Sequence, residues 1–194
     1  MLRAALAALL LAAAPAAAGR ILVLATATPV HGPRVAVEIR LLADGIPDPG
    51  FGTGGIVTLT RGVTAHALLV DRSGAAWALG AIPGRGARPV HAVVYRLDAR
   101  GRIRRAHHLA LHGRHSSGDV EPTSLARGRR GALILAGNDS GGSRTWGWVA
   151  RLRRDGRWDH RSVLAGRRRD FHIVPIREDL GRSYFAAVRL KGGP

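Results

Sequence analysis

Three stretches decide how this chain folds. They are VAVEIRLLADG at Val35–Gly45, VVYRLDARG at Val93–Gly101 and WVARLRRDG at Trp148–Gly156. Each is an alternating apolar run, then Arg-Leu, then a turn closed by glycine. The closing residues Gly45, Gly101 and Gly156 lie 56 and 55 residues apart. A second pattern sits between them: AHALLVDRSGAAWALG at Ala65–Gly80 matches PTSLARGRRGALILAG at Pro122–Gly137, so that Gly74 and Gly131, and Gly80 and Gly137, are each 57 residues apart. Separate landmarks sharing nearly one period mark an internal repeat.

Working outward, the apolar segments are five to nine residues long, rich in Val, Ile, Leu and aromatics, and broken by turn signals every 8–12 residues, which predicts strands. Asp-Gly, or Asp with Gly three residues on, supplies the positive φ a tight hairpin needs. After Ala18 no segment holds a helical period for three turns. The expected fold class is all-β: β-propeller-like repeats of about 55 residues, four antiparallel strands per unit. Its units run roughly over 21–62, 63–114 and 120–166, with a shortened fourth over 170–194. One small sheet cannot bury both its faces, whereas stacked sheets can. About three units are few for a closed propeller, which leaves an irregular ring, an open stack, or a ring completed by self-association.

Residues 1–18 carry the marks of an export signal. Met1-Leu2-Arg3 is a short positive n-region, Ala4–Ala14 an apolar core, Pro15 its break, and Ala16-Ala17-Ala18 a small-residue cleavage site before Gly19. The apolar run is too short for a spanning helix. The expected mature domain is 19–194, periplasmic or secreted.

The 194 residues are 46% hydrophobic and 22% charged, enough for a real core. The absence of Cys excludes disulfides, thiolate metal sites, a Cys nucleophile and a lipoprotein anchor. The formal net charge of +17 first suggests a nucleic-acid binder. The make-up of that charge argues otherwise. All but one of the 30 cations are Arg, Lys191 being the exception, and Asn138 is the single Asn in a chain without Gln. That is the signature of GC-rich coding. The Arg runs at 102–105, 127–130, 151–154 and 167–169 are dispersed rather than gathered on one segment. No specific nucleic-acid contact is expected. Non-specific, salt-sensitive adsorption to polyanions is.

The stretch RLLADGIPDPGFGTGGIV at Arg40–Val57 resembles the signature of the delta-60 repeat family, whose units carry Arg-x-x-x-Asp-Gly, a further Asp, then Phe-Gly-x-Gly-Gly before a strand. The following strand–turn–strand ending in Ala-Gly resembles 65–80 and 122–137. The resemblance implies a propeller-like fold, usually exported or surface-associated, with no family-wide enzymatic activity and no catalytic residues. Only the first unit keeps Phe-Gly-x-Gly-Gly; the second has Ile103–His108 there and the third Trp158–Arg161. The residues expected to matter are therefore structural: Asp44, Gly45, Gly52, Gly54, Gly55, Gly74, Gly101, Gly131, Asp155 and Gly156.

Candidate chemistry is sparse. Gly50, Gly52 and Gly55 spell G-x-G-x-x-G, but Pro47-Asp48-Pro49 precedes and an apolar strand follows, so a Gly-rich strand entry is expected rather than a dinucleotide site. His107, His108, His112 and His115 form a cluster that could ligate a metal. Exposed edge histidines are the plainer reading. Asp44/Asp48 and Asp155/Asp159 could bind calcium or cap their own turns, and the Asp98 turn, with no downstream Asp, favours capping. His115, Ser116, Ser117 and Asp119 supply triad residue types without a nucleophile elbow. Trp77, Trp146, Trp148 and Trp158 suit burial between sheets or stacking on a ligand. No cofactor and no catalytic or metal site is expected. The function this supports is an exported, non-enzymatic binding or structural scaffold with an unidentified protein or polysaccharide partner. The alternatives are an exported hydrolase or lyase using His91, His112 and Asp119, or a polyanion-binding module.

Overall fold

The computed structural model describes residues 9–16, 19–29, 31–84, 90–109, 120–141, 144–159, 171–179 and 182–189. Residues 1–8 and 17–18 of the expected leader, His112, His115, Ser116, Ser117, Asp119 and the Arg run at 167–169 lie outside them.

The described chain is all-β, in antiparallel sheets. The first sheet orders β1 (Leu9–Ala16), β2 (Arg20–Ala27), β3 (Val35–Leu41) and β4 (Ile56–Arg61) in sequence. The second orders β5 (Thr64–Val70), β6 (Ala76–Ile82), β7 (His91–Leu97) and β8 (Ile103–Leu109) likewise. The third contains β9 (Val120–Arg127), β10 (Leu133–Gly141), β11 (Arg144–Leu152) and the short β12 (Trp158–Asp159). Two further strands, β13 (Phe171–Asp179) and β14 (Arg182–Arg189), form a hairpin. Sequential neighbours pair throughout, as short connections dictate. Among the described residues no sheet closes on itself.

The chain divides into two compact units. Met1–Pro83 with Val93–His107 holds the first sheet and most of the second; Gly84–Ala92 with His108–Pro194 holds the third sheet and the β13–β14 hairpin. In the first unit, Leu22 and Leu24 of β2, Ala36 of β3 and Val57 and Leu59 of β4 share one core with Ala65 of β5, Ala76 and Ala78 of β6 and Val93, Tyr95 and Leu97 of β7. Two pleated faces thus bury each other, the arrangement period-two alternation demands. Tyr95 Oη donates to Thr60 Oγ1 at 2.7 Å and the Ala65 N–H to Thr26 Oγ1 at 2.8 Å, fixing the two sheets laterally.

The hairpin turns recur in detail. At Leu42–Ile46, Asp71–Ala75, Asp98–Arg102 and Arg153–Arg157 the first N–H donates to the fifth carbonyl, and the fourth N–H donates back to the first. The fourth residue is Gly45, Gly74, Gly101 and Gly156, each with φ between 78° and 83°. That is a type I turn with its following glycine bulge.

The first–second strand pair of every sheet also carries one extra residue. The register slips between Leu10 and Ala12 in β1, Ala65 and Ala67 in β5, and Pro175 and Arg177 in β13; in β9 it slips at Thr123, between Ala136 and Gly137 of its partner. Gly80 pairs with Ala65 and Gly137 with Pro122, immediately before the slip. The bulged backbone presses on both glycines. A Cβ on Gly80 would lie 2.6 Å from Val63 Cγ1 and 2.7 Å from Thr64 O, and one on Gly137 would collide with Glu121 O and the Trp148 ring. The 57-residue spacing therefore has a physical cause: a strand glycine where a bulge crosses closely. Gly137→Ala is expected to cost about 1–3 kcal/mol as overpacking, read as a lower urea midpoint with unchanged slope.

Leu9–Ala16, assigned to a leader by the sequence reading, pairs with Arg20–Thr26 of β2. An apolar run beside a strand with an open edge satisfies that edge, and Pro15 is tolerated because β1 is itself the outermost strand.

Candidate functional site

The fourteen-residue connection between β3 and β4 is the most elaborately held segment described. Three residues of the quoted signature organise it. The Arg40 side chain, 6% exposed, lies on the core face of β3 and donates from Nε to Asp48 Oδ2 at 2.9 Å. Its guanidinium stands 4.6 Å over the ring of Phe51, which is wholly buried. Arg40 also donates from Nη1 to the carbonyl of Ala99, in the β7–β8 turn of the second sheet. The Gly52 N–H donates to the carbonyl of Arg100 in that same turn at 3.0 Å. Gly101 completes the fit, since a Cβ there would meet Val57 Cγ2 at 2.6 Å and the Phe51 ring at 2.9 Å. The segment is a clasp by which the first sheet grips the turn of the second.

Asp48 is the electrostatic centre of the clasp. Its Oδ1 accepts the Gly50 N–H at 2.8 Å, and its Oδ2 faces Arg40 and, at 3.2 Å, Arg20 Nε. The Gly50 bond, then the charges of Arg40 and Arg20, outweigh burial and hold the carboxyl below its ordinary range. The spacing of eight between Arg40 and Asp48 returns in the third sheet, where Arg151 Nη1 lies 3.6 Å from Asp159 Oδ2 and Arg153 Nη2 3.5 Å from Oδ1. In the second sheet Arg104 stands where the Asp would be, and Arg96 lies 5.3 Å over the Trp77 ring instead.

Gly45, Gly52, Gly54, Gly55, Gly74, Gly101, Gly131 and Gly156 all have positive φ. Asp44 and Asp155 each accept the N–H two residues on, from Ile46 and Arg157, at 3.0 Å. Asp98 does the same for Arg100 and Arg102 and pairs with Arg104. Burial pushes the Asp98 carboxyl up, but those bonds carry it below its ordinary range. Asp44 and Asp155 thus cap turns, while Asp48 and Asp159 face guanidinium groups. Among the described residues no cluster of His, Asp and Glu could hold a metal. In the G-x-G-x-x-G string, the amides of Gly50, Gly52 and Gly55 are spent on Asp48 Oδ1, Arg100 O and Phe51 O, and β4 follows. A phosphate would find none of these donors turned toward it. Trp148 is buried and donates to Asn138 O at 3.1 Å, whereas Trp77 and Trp158 are half-buried. His91 is half-buried on β7 and His108 exposed on β8.

One group the sequence reading did not single out is Glu38. It is fully buried in the middle of β3, between Leu24 of β2 and Val57 of β4, and neither carboxyl oxygen has a hydrogen-bond partner. Burial pushes its pKa up to about 8, against the charge of nearby Arg40. The signal that could have found it is the repeat itself, because Val94 and Val149 occupy the equivalent positions.

A shallow groove of about 440 Å³ runs beside the clasp, lined by Gly52, Thr53, Ile56, Val57, Thr58, Gly101 and Ile103. Among the described residues, Ile56 and Ile103 are large apolar side chains left exposed. No protein-family model matches this chain, and no curated protein matches it.

Proposed function

We propose that this chain is an exported, non-enzymatic β-repeat protein of the delta-60 kind, whose sheets stack in a propeller-like manner and serve as a binding or structural scaffold. The observation that supports it is recurrence with a purpose. The same glycine turn and the same bulge return in successive sheets, the Arg–Asp spacing of the first sheet returns in the third, and the one signature kept in full is spent on joining sheet to sheet. Residues invested in this way serve assembly, and the partner, a protein or a polysaccharide, meets the surface so assembled.

The test is to express the full chain in a bacterium, recover it from the periplasm or medium, and incubate it with a panel of neutral and acidic envelope polysaccharides. Retention without any change in polymer length is the expected result. Release of shortened or unsaturated products would establish the hydrolase or lyase reading instead.

One observation favours a polyanion among these partners. Arg100, Arg102 and Arg105 are exposed along one turn and the edge strand that follows it. Elution from heparin at moderate salt, moved to lower salt when these three are replaced, would identify that segment as the contact.

A further inference from the structure

Each described sheet has a first strand joined to its second through the same bulge, and in the first sheet that strand is Leu9–Ala16. If export removes residues 1–18, as the proposed function requires, the first sheet loses β1 and keeps β2, β3 and β4. β2 is not built to be an edge. Leu22, Val23, Leu24 and Ala25 are all buried, so both of its faces are covered, as in β6, the interior strand at the same position in the second sheet. β5, a true edge, is mostly half-buried. Removing β1 bares a row of N–H and C=O groups along an apolar strand, a template for strand addition.

We propose that the bared edge of β2 is filled by the β2 of a second copy of this chain, giving a two-fold dimer through a continuous six-stranded sheet, β4-β3-β2 against β2-β3-β4. The other described first strands, β5, β9 and β13, are already engaged with β6, β10 and β14. A second copy presents the same edge, and antiparallel self-pairing is what a two-fold axis generates. Charge permits it here. The chain carries +17 overall, yet the sole charged residue of β2 is Arg20, whose guanidinium is held by Asp48. Pairing centred between Val23 and Leu24 sets each Arg20 opposite the other copy's Ala27, so no cations meet. The far edges of the same two sheets, β4 and β8, carry the exposed Arg61, Arg104 and Arg105, which guard against such pairing.

The experiment expresses the full chain, purifies the exported protein, and reads its N-terminus, its mass in solution and its amide exchange. The control is the same chain made by cell-free synthesis without membranes, which retains residues 1–18. The expected result is an exported protein beginning at Gly19, with twice the chain mass and amides over 20–27 slowed at least about tenfold relative to dilutions at which it dissociates. The control is monomeric. An exported protein that begins at Gly19 and stays monomeric into the high-micromolar range overturns the dimer alone, and protected β2 amides in that monomer would show that another segment of the same chain closes the edge. An exported protein that still begins at Met1 overturns both the dimer and the cleavage on which it rests.

Discussion

Replacing Phe51 with alanine is expected to cost about 3–5 kcal/mol, the usual penalty for emptying a buried aromatic site. The side chain is wholly buried in the core shared by the first two sheets, and it is also the surface on which the Arg40 guanidinium lies. The hole could not close cheaply. Gly101 stands on one side with no side chain to move in, and the backbone there is tied by the bond from the Gly52 N–H to Arg100 O. Urea unfolding of the variant measures the loss. Ile46→Ala, at a side chain 59% exposed in the same connection, is the matched control and should stay within about 0.5 kcal/mol of the parent. A Phe51 variant as stable as this control would mean that the clasp does not join the sheets.

The second large effect runs the other way. Glu38→Val should stabilise the chain at pH 7, because it installs the residue that the equivalent positions 94 and 149 already hold. The sign follows from proton linkage. The folded state binds the Glu38 proton with a pKa of about 8, against 4.5 in an unperturbed chain. Between those values the unfolded chain carries fewer protons than the folded one, so stability falls as pH rises from about 4.5 to about 8 and is level beyond. At pH 7 the accumulated loss is roughly 3 kcal/mol, which the valine variant does not suffer. Asp48 and Asp98 act oppositely. Their lowered pKa values stabilise the fold above the ordinary Asp range, and that stabilisation is lost as pH falls below it and through the lowered values. The parent should therefore be most stable in mildly acid solution, and Glu38→Val should flatten the alkaline limb while leaving the acid limb in place. Thermal unfolding of both proteins across pH 3–9 checks this. Parallel curves would show that Glu38 titrates normally.

How much of this was legible in the sequence depended on the range of the interaction. The turns at 42–46, 71–75, 98–102 and 153–157 are written locally, in a glycine that must take positive φ and an Asp or Arg-Leu before it, and they stand where the spacing put them. The segment read as a shortened fourth unit, 170–194, contains the two strands β13 and β14. The spacing of Gly80 and Gly137 was visible, but its reason was not, because a bulge opposite a glycine belongs to two strands at once. The clasp was legible only as a motif. Asp48 could be read as a turn cap or a calcium ligand, and what decides between them is Arg40, whose own further partner, Ala99, lies 59 positions away. Glu38 escaped because strict alternation in β3 gives no warning that its charged face, with Glu38 and Arg40, is the face that turns inward.

Both hydrogen bonds by which the clasp seizes the second sheet end on main-chain oxygens, those of Ala99 and Arg100. Carbonyls are the same at every position of every polypeptide, so the gripped turn must keep its shape and the bare glycine at position 101, while its other side chains are free to change. Duplicated copies of such a sheet can drift far apart in sequence and still dock on one another, and a lineage built this way would lose its textual likeness long before its architecture.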